Sequence, residues 1–287
     1  MGWWSWSVAV RCGEEGDRTL RQAPGWLAKA HTARLFHFAN ARAGLRAPAM
    51  PGYQTKVERI AVAGACDLTM RSLLDRQQFT DPRGDALRQG ISSASWPMFG
   101  LLWPSGAQLA ARLAVRTLVA GERVLELGCG LALASLVGHR RGIDMTASDC
   151  HPLTADFLAE NLRLNALLPM KYRHGHWSDD ALPPADQVAQ AQAVVQGRFD
   201  LLIGSDLLYE RDPAGALAGF IGRHSAPAAE VWIVDPDRGN RGGFNRHMAL
   251  LGFSLAEQRL DRVAGPDGPA YKGRMMTFLR SAMPPPC

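Results

Sequence analysis

The stretch Val124-Leu125-Glu126-Leu127-Gly128-Cys129-Gly130 constrains the fold more than any other part of this sequence. A short run of Val and Leu is typical of a buried parallel strand. The glycines allow a tight turn and a close approach of the backbone to a ligand, which the N-terminal N–H groups of the next helix can also contact. Asp149 lies about 20 residues further on, where an acid can accept hydrogen bonds from ribose hydroxyls. The sequence therefore predicts an α/β domain that binds a nucleoside-containing cofactor.

Strand and helix patterns alternate over the second half of the chain. This alternation predicts a doubly wound, mostly parallel, seven-stranded Rossmann-like sheet with helices on both faces. Ahead of it we expect a β-hairpin within residues 56–73, and Ser105 is a candidate N-cap for the first long helix. The predicted strands lie at 123–127, 144–148, 170–174, 199–204, 230–235, 253–259 and 274–280, and the helices at about 105–119, 131–140, 152–165, 213–223 and 244–251.

The sequence of 287 residues divides into four regions that differ in composition and charge. We predict an extension at 1–49, a hairpin and lead-in at 50–104, the main domain at 105–281 and a tail at 282–287. The extension holds seven basic and three acidic residues, so it carries most of the net charge of +5. It is interpreted as poorly ordered or as a start assigned upstream of Met50, with a targeting or membrane-surface helix as the alternative. The near-neutral remainder gives no electrostatic case for nucleic acid.

The register of the glycine turn decides which cofactor is expected. A dinucleotide fingerprint needs a small residue where this chain has Leu133, and no phosphate-binding P-loop occurs. Glu126, two residues before Gly128, would repel a pyrophosphate but would pair with an ammonium group. These features favour S-adenosylmethionine (SAM), which carries an ammonium, a sulfonium and a ribose but no phosphate.

With these residues in place, the chain resembles the class I, seven-strand SAM-dependent methyltransferases from about Trp96 to Leu279. Within them it is most similar to the protein-lysine methyltransferase group, which has an acid-x-x-aromatic signature after the fourth strand of the main sheet. Ala132 departs from the pattern, since many members have a third glycine there, and we expect it to be tolerated if its φ is negative. The matching segments are Trp103–Gly106, Val124–Gly130, Ala147–Asp149 and Gly204–Tyr209.

The resemblance implies roles for ten residues. Asp206 and Tyr209 would be catalytic, with Asp206 orienting the acceptor amine and Tyr209 lining its channel; the alternative is that they only end the strand and begin a loop. Asp149 would receive the ribose hydroxyls, and Trp177 would border the adenine. The full set of predicted cofactor-binding residues is Trp103, Glu126, Gly128, Cys129, Gly130, Asp149, Trp177 and Ser205.

The resulting prediction is methyl transfer from SAM to a nitrogen of a protein side chain, with lysine as the expected acceptor. The enzyme is expected to be a cytoplasmic monomer without membrane or nucleic-acid partners. The alternatives are a small-molecule or nucleic-acid methyltransferase and a SAM-binding module without turnover. No metal site is predicted, because His174 and His176 have no Cys or third His near them. The segment Asp235-Pro236-Asp237-Arg238 is expected to be a solvated turn, with a place on the substrate rim as the alternative.

Overall fold

The structure is a computed structural model that describes residues 52–177, 193–265 and 270–282. The predicted extension at 1–49 lies outside the described residues, as does the predicted tail apart from residue 282.

A seven-stranded sheet forms the centre of the described part of the chain. Its strand order is β5-β4-β3-β6-β7-β9-β8, in which β3 to β7 run parallel and β8 and β9 pair antiparallel at one side. This confirms the predicted mostly parallel, seven-stranded sheet. The strands are β3 (Arg123–Leu127), β4 (Asp144–Asp149), β5 (Lys171–His174), β6 (Phe199–Ser205), β7 (Ser225–Asp235), β8 (Ser254–Arg259) and β9 (Arg274–Arg280).

Helices cover both faces of the sheet because its central strands are apolar on both sides. Along β3, Val124 packs into one buried cluster, whereas Leu125 and Leu127 pack into a second cluster. The period of two along a strand sends neighbouring side chains to opposite faces. Helices α2 (Pro104–Ala114), α3 (Leu133–Arg140) and α4 (Thr154–Leu164) contribute to the first cluster, and α5 (Ala216–His224) and α6 (Arg241–Leu250) to the second.

The predicted N-terminal hairpin consists of β1 (Thr55–Ile60) and β2 (Leu68–Leu73), and its attachment to α4 was not foreseen. Asn161 accepts a hydrogen bond from the Arg71 N–H (2.7 Å) and donates one to the Arg71 carbonyl (3.3 Å). Asn165, one helical turn later, bonds the N–H and carbonyl of Thr69 in the same way at 2.8 and 2.7 Å. Two side-chain amides thus satisfy the outer edge of β2.

The lead-in between this hairpin and the main sheet contains only short helical segments. It contains α1 (Asp85–Arg88) and two 3₁₀ turns, Ser93–Ser95 and Met98–Gly100. No helix in the described ranges is long and apolar enough to cross a bilayer.

Two predictions about α2 are wrong. The helix begins at Pro104, whose missing N–H costs nothing at the first helical position, and Ser105 lies inside its first turn rather than at the N-cap. The hydroxyl of Ser105 is buried and forms a 2.9 Å hydrogen bond with the Tyr271 hydroxyl, a long-range contact that local sequence does not reveal. The helix also ends at Ala114 rather than near residue 119.

Alanine at position 132 was expected to be tolerated in place of glycine if its φ were negative, and the structure does not meet this condition. Ala132 adopts φ +57°, the left-handed conformation that favours glycine, and it is fully buried at the start of α3. The chain therefore keeps the backbone of a glycine position while carrying a methyl group. That methyl packs in the first buried cluster, which offsets part of the conformational cost of about 1–2 kcal/mol.

Candidate active site

A cavity of about 700 Å³ opens at the carboxyl ends of β3, β4, β5 and β6, where open α/β sheets bind ligands. Residues that follow β7 complete its lining. The structure brings all ten predicted site residues together there: Trp103, Glu126, Gly128, Cys129, Gly130, Asp149, Trp177, Ser205, Asp206 and Tyr209.

The two glycines after β3 have left-handed backbone conformations that their neighbours enforce. Gly128 has φ +52° and Gly130 has φ +50°. A Cβ atom on Gly130 would lie 2.9 Å from the carbonyl oxygen of Phe99, and one on Gly128 would lie 2.7 Å from a methyl of Leu207. The left-handed conformation favours glycine at both positions. At Gly130 the space is also closed by backbone, whereas at Gly128 the close atom is the end of the Leu207 side chain.

Cys129, between the two glycines, holds the turn beside β4. Its N–H donates a 2.9 Å hydrogen bond to the carbonyl of Ser148. Burial raises the pKa of its thiol well above the usual value, with the charges of Asp149 and Glu126 acting in the same direction. The thiol therefore stays protonated and acts as a small apolar wall rather than a nucleophile.

Asp149 joins the ends of β3 and β4. Its Oδ2 accepts a hydrogen bond from the Gly130 N–H at 2.9 Å, and its Oδ1 accepts one from the His151 N–H at 2.8 Å. Burial raises the pKa of this carboxyl, and these backbone N–H groups oppose the rise by stabilising the anion. Each carboxylate oxygen has a second lone pair, so the geometry leaves acceptors for the predicted ribose hydroxyls.

Glu126 has a structural partner that the sequence analysis did not foresee. Its Oε2 accepts hydrogen bonds from the Ser135 N–H, at 2.8 Å, and from the Ser135 hydroxyl. Because Ala132 offers no side-chain cap for α3, the carboxylate of Glu126 serves this purpose for the first turn. Burial raises its pKa to about 7. A cationic ligand group would stabilise the anion at this position.

Aromatic side chains supply much of the remaining wall. The indole N–H of Trp103 donates to the Met98 carbonyl at 3.0 Å, which fixes that ring in the lead-in segment. Trp177 lies near Gly128, 3.5 Å from where a Cβ atom would be. Tyr209 is 44% exposed and so stands at the cavity mouth. These rings shield the interior from water while leaving one side open.

Asp206 lies at the end of β6 in an unusual conformation. Its φ is +59°, and its N–H donates a 3.0 Å hydrogen bond to the carbonyl of Val234 in the neighbouring strand β7. Its side chain is about 10% exposed, and Oδ1 accepts a 3.0 Å hydrogen bond from Nη2 of Arg238. Aspartate visits this backbone region more readily than most residues. The carboxylate is therefore held in one orientation from two directions.

Arg238 shows that the solvated-turn interpretation of residues 235–238 is wrong. Asp235 is fully buried, and its Oδ1 accepts a hydrogen bond from the Arg238 N–H at 2.7 Å. The Arg238 side chain reaches back over the turn into the cavity lining. An acid at the carboxyl end of a predicted strand was the available signal, because that edge of the sheet lies over the ligand site.

Phe99 lines the cavity and was not named in the sequence analysis, whereas Arg238 belongs to the segment for which a place on the substrate rim was the alternative. The ring of Phe99 stacks on His151, with centroids 3.7 Å apart, and meets Phe157 edge-on at 5.3 Å. Its carbonyl covers Gly130. Nothing local distinguishes Phe99 from an ordinary core aromatic, since its contacts all come from distant segments.

The residues fit SAM. The buried carboxyls of Glu126 and Asp149 suit its ammonium group and its ribose hydroxyls, respectively. The turn at Gly128 and Gly130 has no Cβ atoms, so a ligand can come close to its main-chain groups. The described residues contain no cluster of three or more His, Cys, Asp or Glu that could hold a metal ion.

The curated proteins to which this chain is similar in sequence are lysine methyltransferases. No protein-family model matches the chain. The electron transfer flavoprotein β subunit lysine methyltransferase of Mus musculus is 25% identical over 218 residues, which is 73% of this chain and 78% of that protein. The enzyme of the same name from Rattus norvegicus is 26% identical over 197 residues, 68% of this chain and 69% of that protein.

Among solved structures, a similar fold occurs in the magnesium protoporphyrin IX methyltransferase of Synechocystis, crystallised with SAM. Its TM-score is 0.46 at 16% identity, over 62% of this chain and 78% of that one. The ribosomal protein L11 methylase of Lactobacillus delbrueckii has a TM-score of 0.44 at 17% identity, over 63% and 81% of the two chains.

The sheet order is that of a Rossmann-like fold, and the chain is a SAM-dependent methyltransferase. The curated relatives to which it is similar are lysine methyltransferases.

Proposed function

We propose that the chain methylates the side-chain nitrogen of a lysine in a protein substrate. The observation that carries the proposal is the position of Asp206 and Tyr209. Both follow β6 and line the same cavity as the glycine turn, and the curated relatives act on lysine. A cytoplasmic monomer without a nucleic-acid partner remains our expectation.

Glu126, Asp149 and the backbone of Gly128–Gly130 would hold the cofactor, with Trp103, Trp177 and Ser205 beside it. When bound, SAM supplies an electrophilic methyl group on a sulfonium. The residues of this chain must align an acceptor nitrogen with that methyl and exclude water.

A lysine amine must be neutral to attack, although its ordinary pKa is about 10.4. The rings of Trp103 and Tyr209 and the side chain of Leu207 line the cavity, so the entering side chain loses water and its pKa falls. Asp206 accepts a hydrogen bond from an N–H of the amine. This orients the lone pair of the amine nitrogen along the channel towards the methyl group. The carboxylate needs no great basicity for this task, because positioning accounts for most of the gain.

The test is transfer of isotopically labelled methyl groups from SAM, with mass spectrometry to locate the label. Electron transfer flavoprotein β subunit and a heat-treated proteome serve as acceptors. We expect label on lysine side chains. Label on RNA or small molecules would support the alternative methyltransferases, and SAM binding without any transfer would support a binding module.

Asp206→Asn is the diagnostic variant, and Asp200→Asn is its matched control. Asp200 begins the same strand at the end remote from the cavity, and its side chain is 41% exposed. We expect Asp206→Asn to lower kcat by about 10²-fold or more, within the range of a lost positioning contact, with unchanged affinity for S-adenosylhomocysteine. Equal activity of the two variants would contradict the role of Asp206.

A further inference from the structure

The ion pair between Arg238 and Asp206 uses only one of the two carboxylate oxygens. Arg238 Nη2 lies 3.0 Å from Oδ1 of Asp206. Oδ2 is buried and forms no close hydrogen bond among the residues that the structure describes, although the hydroxyl and N–H of Ser105 act on the same carboxyl and lower its pKa. The charged hydrogen bond from Arg238 therefore fixes one oxygen of the carboxylate and, with it, the orientation of the group.

Arg238 is itself held by a second acid. Its Nη1 lies 3.6 Å from Oδ2 of Asp235, a fully buried residue at the end of β7. Its N–H donates to Oδ1 of the same carboxyl at 2.7 Å. The guanidinium is planar and stays charged at all relevant pH values. It links Asp235 to Asp206 through an ion pair on one side, at 3.6 Å, and a hydrogen bond on the other, at 3.0 Å.

We propose that Arg238 is a positioning residue, which binds Oδ1 of Asp206 and so fixes the orientation of the carboxylate that receives the amine of the acceptor lysine. The inference rests on the proposed function and adds a residue to it. Arg238 touches neither reacting atom in this scheme; it acts through Asp206 by fixing the carboxylate plane and keeping it ionised.

Four groups face Asp206 and set its titration. Arg238 and Asp235 approach from the turn after β7, Ser105 from the first turn of α2, and Tyr271 from the segment before β9. Burial raises the pKa of Asp206, and the positive charge of Arg238 is the largest opposing influence. Without that charge the carboxyl would hold its proton to a higher pH and could no longer accept a hydrogen bond through both oxygens.

The experiment follows the titration of Asp206 directly, in the full-length chain labelled with ¹³C at aspartate carboxyls. The Asp206 signal is assigned by its loss in Asp206→Asn. We expect Arg238→Gln to raise its titration midpoint by about one pH unit or more, and Arg238→Lys to move it less because the charge remains. Arg123→Gln is the control: it removes an arginine whose side chain is half exposed and pairs with Asp200, near the end of β6 opposite to Asp206.

Kinetics give the second measurement. Arg238→Gln should lower kcat for the protein substrate at least tenfold and shift the acidic limb of the pH profile upward, with unchanged affinity for S-adenosylhomocysteine. Arg238→Lys should restore the position of that limb but not the full kcat, because a lysine cannot reproduce the planar bridge.

Three outcomes separate the possibilities. An Asp206 midpoint that is the same in Arg238→Gln and Arg123→Gln overturns the role of Arg238. Failure of the unmodified chain to methylate lysine overturns the proposed function. The titration of Asp206 still shows in that case whether Arg238 acts on its carboxyl. If Arg238→Gln does not fold because Asp235 loses its cation, the double variant with Asp235→Asn removes that buried charge and gives the same comparison.

Discussion

Replacement of Gly130 by alanine tests how tightly the lead-in segment closes over the glycine turn. The new Cβ would lie 2.9 Å from the Phe99 carbonyl oxygen and 3.6 Å from the carbonyl carbon. Phe99 cannot retreat easily, because its ring is stacked on His151 and packed edge-on against Phe157. Relieving the overlap must therefore move backbone rather than the end of a flexible side chain.

Gly142→Ala provides a matched control. Gly142 has φ +83°, and a Cβ atom there would have no neighbour within 4 Å. Both substitutions place alanine in the left-handed region, at a cost of about 1–2 kcal/mol, and both gain about 0.4–1 kcal/mol from a less flexible unfolded chain. These contributions cancel in the comparison. The overlap with Phe99 remains and is worth about 1–3 kcal/mol.

We therefore expect Gly130→Ala to be less stable than Gly142→Ala by about 1–3 kcal/mol, or roughly 2–4 °C in Tm for each kcal/mol. Differential scanning calorimetry measures this difference. Because the moved segment lines the cavity, isothermal titration calorimetry should show SAM affinity reduced about tenfold or more, equivalent to about 1.4 kcal/mol, for Gly130→Ala alone. Indistinguishable Tm and affinity in the two variants would refute the reasoning.

Two further predictions concern buried polar groups. The pKa of Glu126 is about 7 in the folded chain, above its ordinary value of 4.5, so the free energy of unfolding should fall by up to about 3 kcal/mol between pH 4.5 and 7. Glu126→Gln should remove this decline, as measured by urea titrations at several pH values without cofactor. If the two proteins lose stability in parallel as the pH rises, another group causes the decline. Ser105→Ala leaves the Tyr271 hydroxyl without its buried partner and should cost about 1–3 kcal/mol. Adding Tyr271→Phe should recover part of that loss, and full additivity in this double-mutant cycle would argue against the hydrogen bond.

Some parts of the site could be predicted because they depend on short stretches of sequence. The run Val124–Gly130 specifies a buried strand and a turn by itself, since apolar residues and glycines act on the backbone next to them. Asp149 and Asp206 were identified from their positions at predicted strand ends. Parallel strands place those ends at one edge, so the topology implied that these residues would meet.

Other features depend on partners far away in the chain. Ser105 looked like an N-cap, but its hydroxyl bonds Tyr271, 166 positions later. Glu126 looked like a ligand group alone, and it also caps α3 through Ser135. Ala132 carries a glycine-like φ that no local rule predicts for alanine.

The division follows from the range of the forces involved. Period, turn chemistry and the order of strand ends are local or topological properties, and they were enough to predict the α/β sheet and the cofactor class. The roles of the ten residues around the cavity came from the resemblance to a methyltransferase group. The bridge from Asp235 through Arg238 to Asp206 and the cover of Phe99 over Gly130 arise from packing between segments that are distant in sequence. That packing, rather than residue type, decides which partners each buried carboxylate has.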